Sequence, residues 1–69
     1  MKITRIREIL KDEYRLGAMK LEGSRYAIRS NGDSLFSLDI EKIRDEQHFR
    51  ERMKQELDYL EAVATRRWQ

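Results

Sequence analysis

A chain with no cysteine and a single histidine, His48, holds few groups that can attack an acyl or phosphoryl centre or bind a soft metal. Ser34 or Ser37, His48 and Asp45 are the residue types of a hydroxyl nucleophile, its base and the carboxylate that orients the base. Those types occur in most chains, and no glycine-rich phosphate loop or nucleophile elbow accompanies them. Asp45, His48 and Glu51 recur every three residues, so on a helix all three approach one point. Arg44 and Arg52 flank them, however, and structural zinc takes cysteine and histidine in sets of four. The carboxylate pairs Glu41/Asp45 and Glu46/Glu51 also have arginine neighbours. General acid work needs a raised pKa, which such cations oppose. The expectation is no catalytic residue, no metal and no cofactor.

Cations are the more informative set. Ten of the fifteen basic residues are arginine, the side chain suited to bidentate pairing with carboxylate or phosphate. Residues 1–29 hold eight Lys/Arg against four Asp/Glu, a balance of +4, and residues 30–69 hold seven against nine, a balance of −2. Arg5 and Arg7 in the first segment, with Lys20, Arg25 and Arg29 in the middle, are the candidate phosphate contacts of a nucleic-acid-binding surface. Glu22 and Asp39 are expected opposite Arg25, where cross-strand charge pairing is an ordinary stabilising device. The aromatic residues fall mostly on the apolar face, which leaves no stacking platform for single strands.

Those residues are positioned by five elements in the order α-β-β-β-α. Ile3, Ile6, Ile9 and Leu10, at spacings of three and four, form the apolar stripe of a short helix ending near Asp12. A rival reading continues that helix through Tyr14, Gly17 and Leu21 to Gly23, so residues 13–22 stand between strand and helix. Gly23-Ser24 suits a two-residue hairpin loop with glycine first. That loop sets Glu22 opposite Arg25, Leu21 opposite Tyr26 and Met19 opposite Ile28. Asn31-Gly32-Asp33 is the second turn signal. A two-residue Asn-Gly loop would set Ile28 opposite Leu35. A three-residue loop at 31–33, the expected one, instead sets Ile28 opposite Phe36, Tyr26 opposite Leu38 and Arg25 opposite Asp39. Met19, Leu21, Tyr26, Ile28, Phe36 and Leu38 share the covered face in this register, and Ala18, Lys20, Arg25, Ala27, Arg29, Leu35 and Ser37 share the open one.

The last segment is helical, with Asp39 and Asp45 as successive N-caps and a break between them. The break separates the short stripe Ile40/Ile43 from a second stripe of Phe49, Met53, Leu57, Leu60, Ala64 and Trp68. Glu46 and Arg50 form an i,i+4 pair. A helix from about residue 46 to 67 is about 33 Å long, whereas strands of five or six residues reach about 17–20 Å. Its far end therefore needs another apolar surface. Tyr59, Val63, Arg67 and Trp68 are the candidate partner-binding residues, because tyrosine, tryptophan and arginine dominate binding hot spots. A second copy of the chain is the favoured occupant, since domains this small often rely on oligomerisation.

The 69 residues make one small domain, 1–69, 41% charged and without proline. No apolar run is long enough to span a membrane, and the start lacks a signal core, so the expected location is cytoplasmic. The expected fold class is α+β, a three-stranded antiparallel meander with two helices on one face. The expected function is non-enzymatic: binding of a protein partner or of itself through the long last helix. Nucleic-acid binding is the alternative.

The order and length of the elements resemble the double-stranded-RNA-binding domain. That family enters its last helix on a lysine-rich stretch that touches phosphate. Here the matching stretch, Asp39-Ile40-Glu41-Lys42-Ile43-Arg44-Asp45-Glu46, is acidic. The family's function is accordingly not carried over.

Overall fold

A computed structural model describes residues 1–67, with side chains through residue 65. Helix α1 spans Ile3–Ile9. No side chain caps it at Lys2, and the chain start is tied instead by the Met1 ammonium, which donates to the Ile43 carbonyl at 3.2 Å. The three-and-four spacing does what it should: Ile6, Ile9 and Leu10 are almost fully buried.

After Ile9 the coil widens into a π-type turn, Leu10–Tyr14, and then stops. Arg15 takes a left-handed conformation, φ 57°, and both its N–H and that of Leu16 donate to the Leu10 carbonyl. Both readings of residues 13–22 thus hold a part: the helix runs on to Tyr14, and the strand begins at Gly17.

The sheet is antiparallel in the order β1-β2-β3, with β1 at Gly17–Lys20, β2 at Arg25–Ser30 and β3 at Asp33–Asp39. Between β2 and β3 the pairs Arg25/Asp39, Tyr26/Leu38 and Ile28/Phe36 are those expected. The loop is different. Asn31 and Gly32 form a two-residue tip, both at positive φ, closed by the Ser30/Asp33 pair. A bulge at Leu35 then inserts the extra residue that restores the expected register.

The first hairpin slips by one residue. Ala18 pairs with Ile28, Met19 with Ala27 and Lys20 with Tyr26. Gly23 does take the first central position of the tip, at φ +59°, and the Arg25 N–H donates to the Glu22 carbonyl. But the Arg25 carbonyl accepts from Leu21, so Leu21 and Glu22 together oppose Arg25, which is again a bulge. With a side-chain period of two, this slip turns β1 over. Ala18 packs toward the core, Met19 and Leu21 are exposed, and Lys20 leaves the open face it was expected to share with Arg25 and Arg29.

A single 3₁₀ turn, Ile40–Lys42, follows β3, capped by the Asp39 carboxylate, which accepts from the Glu41 N–H. Helix α2, Glu46–Arg67, starts where Asp45 Oδ1 accepts the His48 N–H at 2.8 Å. Both expected caps and the break between them are present.

The core joins Ile6, Ile9 and Leu10 to Ile28, Leu38, Ile43, Phe49 and Met53. Each large side chain buried there contributes about 1.5–3 kcal/mol from surface removed from water. Leu57 is the last α2 residue, among those described, that packs against this cluster.

A ladder of ion pairs runs along the seam between α1 and α2. Arg5 donates from Nε and Nη2 to both carboxylate oxygens of Glu46, at 3.1 and 2.9 Å, and from Nη1 to Glu8 at 3.1 Å. Arg50 donates likewise to both oxygens of Glu13, at 3.1 and 2.7 Å, with Glu46 3.6 Å away. The Glu46–Arg50 pair legible in the sequence is the weakest rung. The two bidentate ones reach from α2 to α1 and to the π-type turn.

Candidate functional site

Three regions hold the residues singled out by type and spacing. The first is the outer half of α2. Viewed down the helix, Phe49 and Met53 define the buried side, and Leu57, Leu60, Val63 and Ala64 continue the same stripe at helical spacing. Leu60 and Val63 are partly buried, and Tyr59, beside Val63 one turn back, is 66% exposed. Of the four candidate partner-binding residues, Tyr59 and Val63 lie together on this outer stripe. The Arg67 side chain and Trp68 lie outside the described residues.

The second region is the set of candidate phosphate contacts, and the fold disperses it. Arg5 is held by three hydrogen bonds in the ion ladder, and those carboxylates raise its pKa still further. Arg7 lies over the Tyr26 ring, 5.8 Å from its centroid, a cation–π contact on the helix-covered side. Lys20, opposite Tyr26, is on that side as well. Arg25 and Arg29 alone share the open face. Of these two, Arg29 folds back onto its own hairpin, donating to the Gly32 carbonyl and to Met19 Sδ.

The third region was not anticipated. A groove of about 340 Å³ lies at the corner where β3 passes through the 3₁₀ turn into α2, lined by Arg25, Ser37, Asp39, Lys42, His48 and Arg52 over a floor of Leu38 and Ile43. The residues come from β2, β3, the 3₁₀ turn and α2, so no local spacing announces them. The turn between the two caps brings Lys42 toward Arg52 and Arg25. The one signal in the sequence was the pair of caps six residues apart, Asp39 and Asp45, which fixes a sharp corner there.

Electrostatics in the groove are well defined. The Ser24 hydroxyl donates to Asp39 Oδ1 and holds that carboxyl below its usual pKa, helped by the Glu41 N–H and by Lys42 and Arg25 nearby. His48 Nδ1 accepts the Arg44 N–H at 3.1 Å, which places the proton of the neutral ring on Nε2. The imidazole thus braces the helix entrance, a task its position after a cap did not reveal. The same bonds bear on the triad and metal arrangements drawn from Asp45, His48 and Glu51. Asp45 is occupied by the His48 N–H and Glu51 by the Gln47 amide, and among the described residues no group of three is placed to hold a metal ion.

Among the described residues no helix is long and apolar enough to cross a membrane. No family profile, curated protein or solved structure matches the chain. The shared element order with the double-stranded-RNA-binding domain is therefore unaccompanied by any match of structure.

Proposed function

We propose that this chain is a non-enzymatic binding module that acts through the outer half of α2, pairing first with a second copy of itself. One observation carries the reading: the apolar stripe of α2 continues past Leu57, where the core ends, through Leu60 and Val63, with Tyr59 exposed beside it. A stripe of this kind is stable in water when another apolar surface covers it.

Charge favours an antiparallel copy as that surface. Glu56, Asp58 and Glu61 precede Arg66 and Arg67 along the helix. Two such helices laid head to tail bring the basic end of each beside the acidic stretch of the other. A parallel pair would set like charges side by side. The interface belongs to the class in which small domains gain the apolar burial that one copy cannot supply. A protein partner presenting a helix of similar character would use the same stripe.

Light scattering on a chain ended before Tyr59 tests this. The shortened chain retains every core residue and is expected to be monomeric where the full chain associates. Persistence of the dimer in the shortened chain would refute the assignment to α2.

Nucleic-acid binding is the second reading, and Arg25 is what favours it. It lies on the open face, and its side chain makes no hydrogen bond or ion pair among the described residues. Titration of labelled mixed-sequence DNA and RNA at low and near-physiological salt tests it, with the Arg25→Glu/Arg29→Glu chain as comparison. Binding that weakens steeply with salt and disappears in the variant would support this reading, and no binding at low salt would remove it.

A further inference from the structure

The groove at the β3–α2 corner gathers more positive charge than its neighbours neutralise. Three cations, Arg25, Lys42 and Arg52, line it against one carboxylate, Asp39. The side chains of two of the three, Arg25 and Lys42, make no hydrogen bond or ion pair among the described residues. Arg52 is anchored through Nη2 to Glu56, one turn on, at 2.9 Å, which fixes the guanidinium and leaves other N–H groups of its fork unspent. Asp39, held ionised by Ser24, the Glu41 N–H and the nearby Lys42 and Arg25, offsets one of these three charges. Like charges converging on one cleft repel one another, and an anion seated among them relieves that repulsion.

The donors also have a shape. Arginine offers a planar fork and lysine a point charge, and the two together are the usual means of holding phosphate oxygens. The Ser37 hydroxyl and the His48 ring add neutral donors: with Nδ1 accepting from Arg44, the neutral ring carries its proton on Nε2. The volume, about 340 Å³, is at the lower end of small-molecule sites, which run from about 300 to 1,000 Å³. It has room for a phosphate group and a short organic part over Leu38 and Ile43. We infer that this groove binds the phosphate group of an organic phosphate, with Arg25, Lys42 and Arg52 as its charged contacts. The site is separate from the outer half of α2, and its occupancy does not depend on self-association.

Two-dimensional ¹H–¹⁵N spectra of the full chain test it, titrated at constant ionic strength with inorganic phosphate, with adenosine monophosphate and with a short single-stranded DNA. Sodium chloride is the reference. The expected result is saturable movement of the amides around Ser37, Lys42 and His48, weakened about tenfold or more in Arg25→Gln and in Lys42→Gln and unchanged in Lys54→Gln, which removes the same charge elsewhere. Saturation by phosphate or the mononucleotide identifies a small phosphate ester. Saturation by the DNA alone, at the same amides, identifies a backbone phosphate. Movement that is linear, equal to that with chloride, or the same in Arg25→Gln and Lys42→Gln as in the parent would overturn the inference.

Discussion

A guanidinium can bind two carboxylates at once, and Arg5 does so, fixing α1 to α2 through Glu46 while reaching Glu8 on its own helix. These groups lie at the surface, so each pair is individually weak, but they form a connected ladder. The carboxyls of Glu13 and Glu46 are held below their usual range, chiefly by hydrogen bonds from Arg50 and Arg5, and that of Asp39 chiefly by Ser24. A depressed folded-state pKa stabilises the fold above the ordinary carboxylate range, and this contribution is lost as pH falls through the depressed value. Urea midpoints should therefore fall between about pH 5 and about pH 3. In the Arg5→Gln/Arg50→Gln chain the fall should be shallower, and an unchanged acid slope would show that the ladder contributes nothing. A second residue-scale test concerns Arg15, which holds φ 57°, a conformation costing about 1–2 kcal/mol in a residue with a Cβ. Arg15→Gly is expected to raise stability by about 1 kcal/mol in urea titrations, and a loss would show that the arginine side chain repays its strain.

At the scale of elements, the hairpins show what sequence can and cannot specify. Asn31-Gly32 and Gly23 announced both turns, because their positive φ is costly for other residues. Alternation then gave the β2–β3 pairing correctly, since Tyr26, Ile28, Phe36 and Leu38 agree on one face. The register read from the sequence puts Met19 and Leu21 on the covered face, and a bulge at Leu21–Glu22 overturns it, leaving both exposed. Bulges follow from local hydrogen-bond geometry and leave little trace in an apolar pattern. That single slip also removed Lys20 from the open face, while ion pairing took Arg5 and the Tyr26 ring took Arg7 from the candidate phosphate contacts. The helices were easier to read because their stripes are longer: Phe49 and Met53 stand at the core as their spacing implied. Phe49→Ala is expected to cost about 3–5 kcal/mol in chemical unfolding, a large part of what a small domain has. A cost below about 1 kcal/mol would mean that α2 does not depend on this contact.

At the scale of the molecule, the long and short dimensions differ, 39 Å against 24 and 22 Å, and α2, about 33 Å long, is the element that approaches the greater one in length. The excess length was legible from the arithmetic of helix rise against strand length. The corner groove was not, because its cations come from three elements and converge only after folding. Together these features describe a molecule with a core at one end of a helix and, at the other, an apolar stripe that no other element covers among the described residues. Sedimentation equilibrium over a wide concentration range, on the full chain and on Leu60→Glu, tests this most directly. The expected result is a monomer–dimer equilibrium in the parent and a monomer in the variant, with the helical circular dichroism of the inner half of α2 retained. A parent chain that stays monomeric at every concentration, or a variant that dimerises as well as the parent, would contradict it.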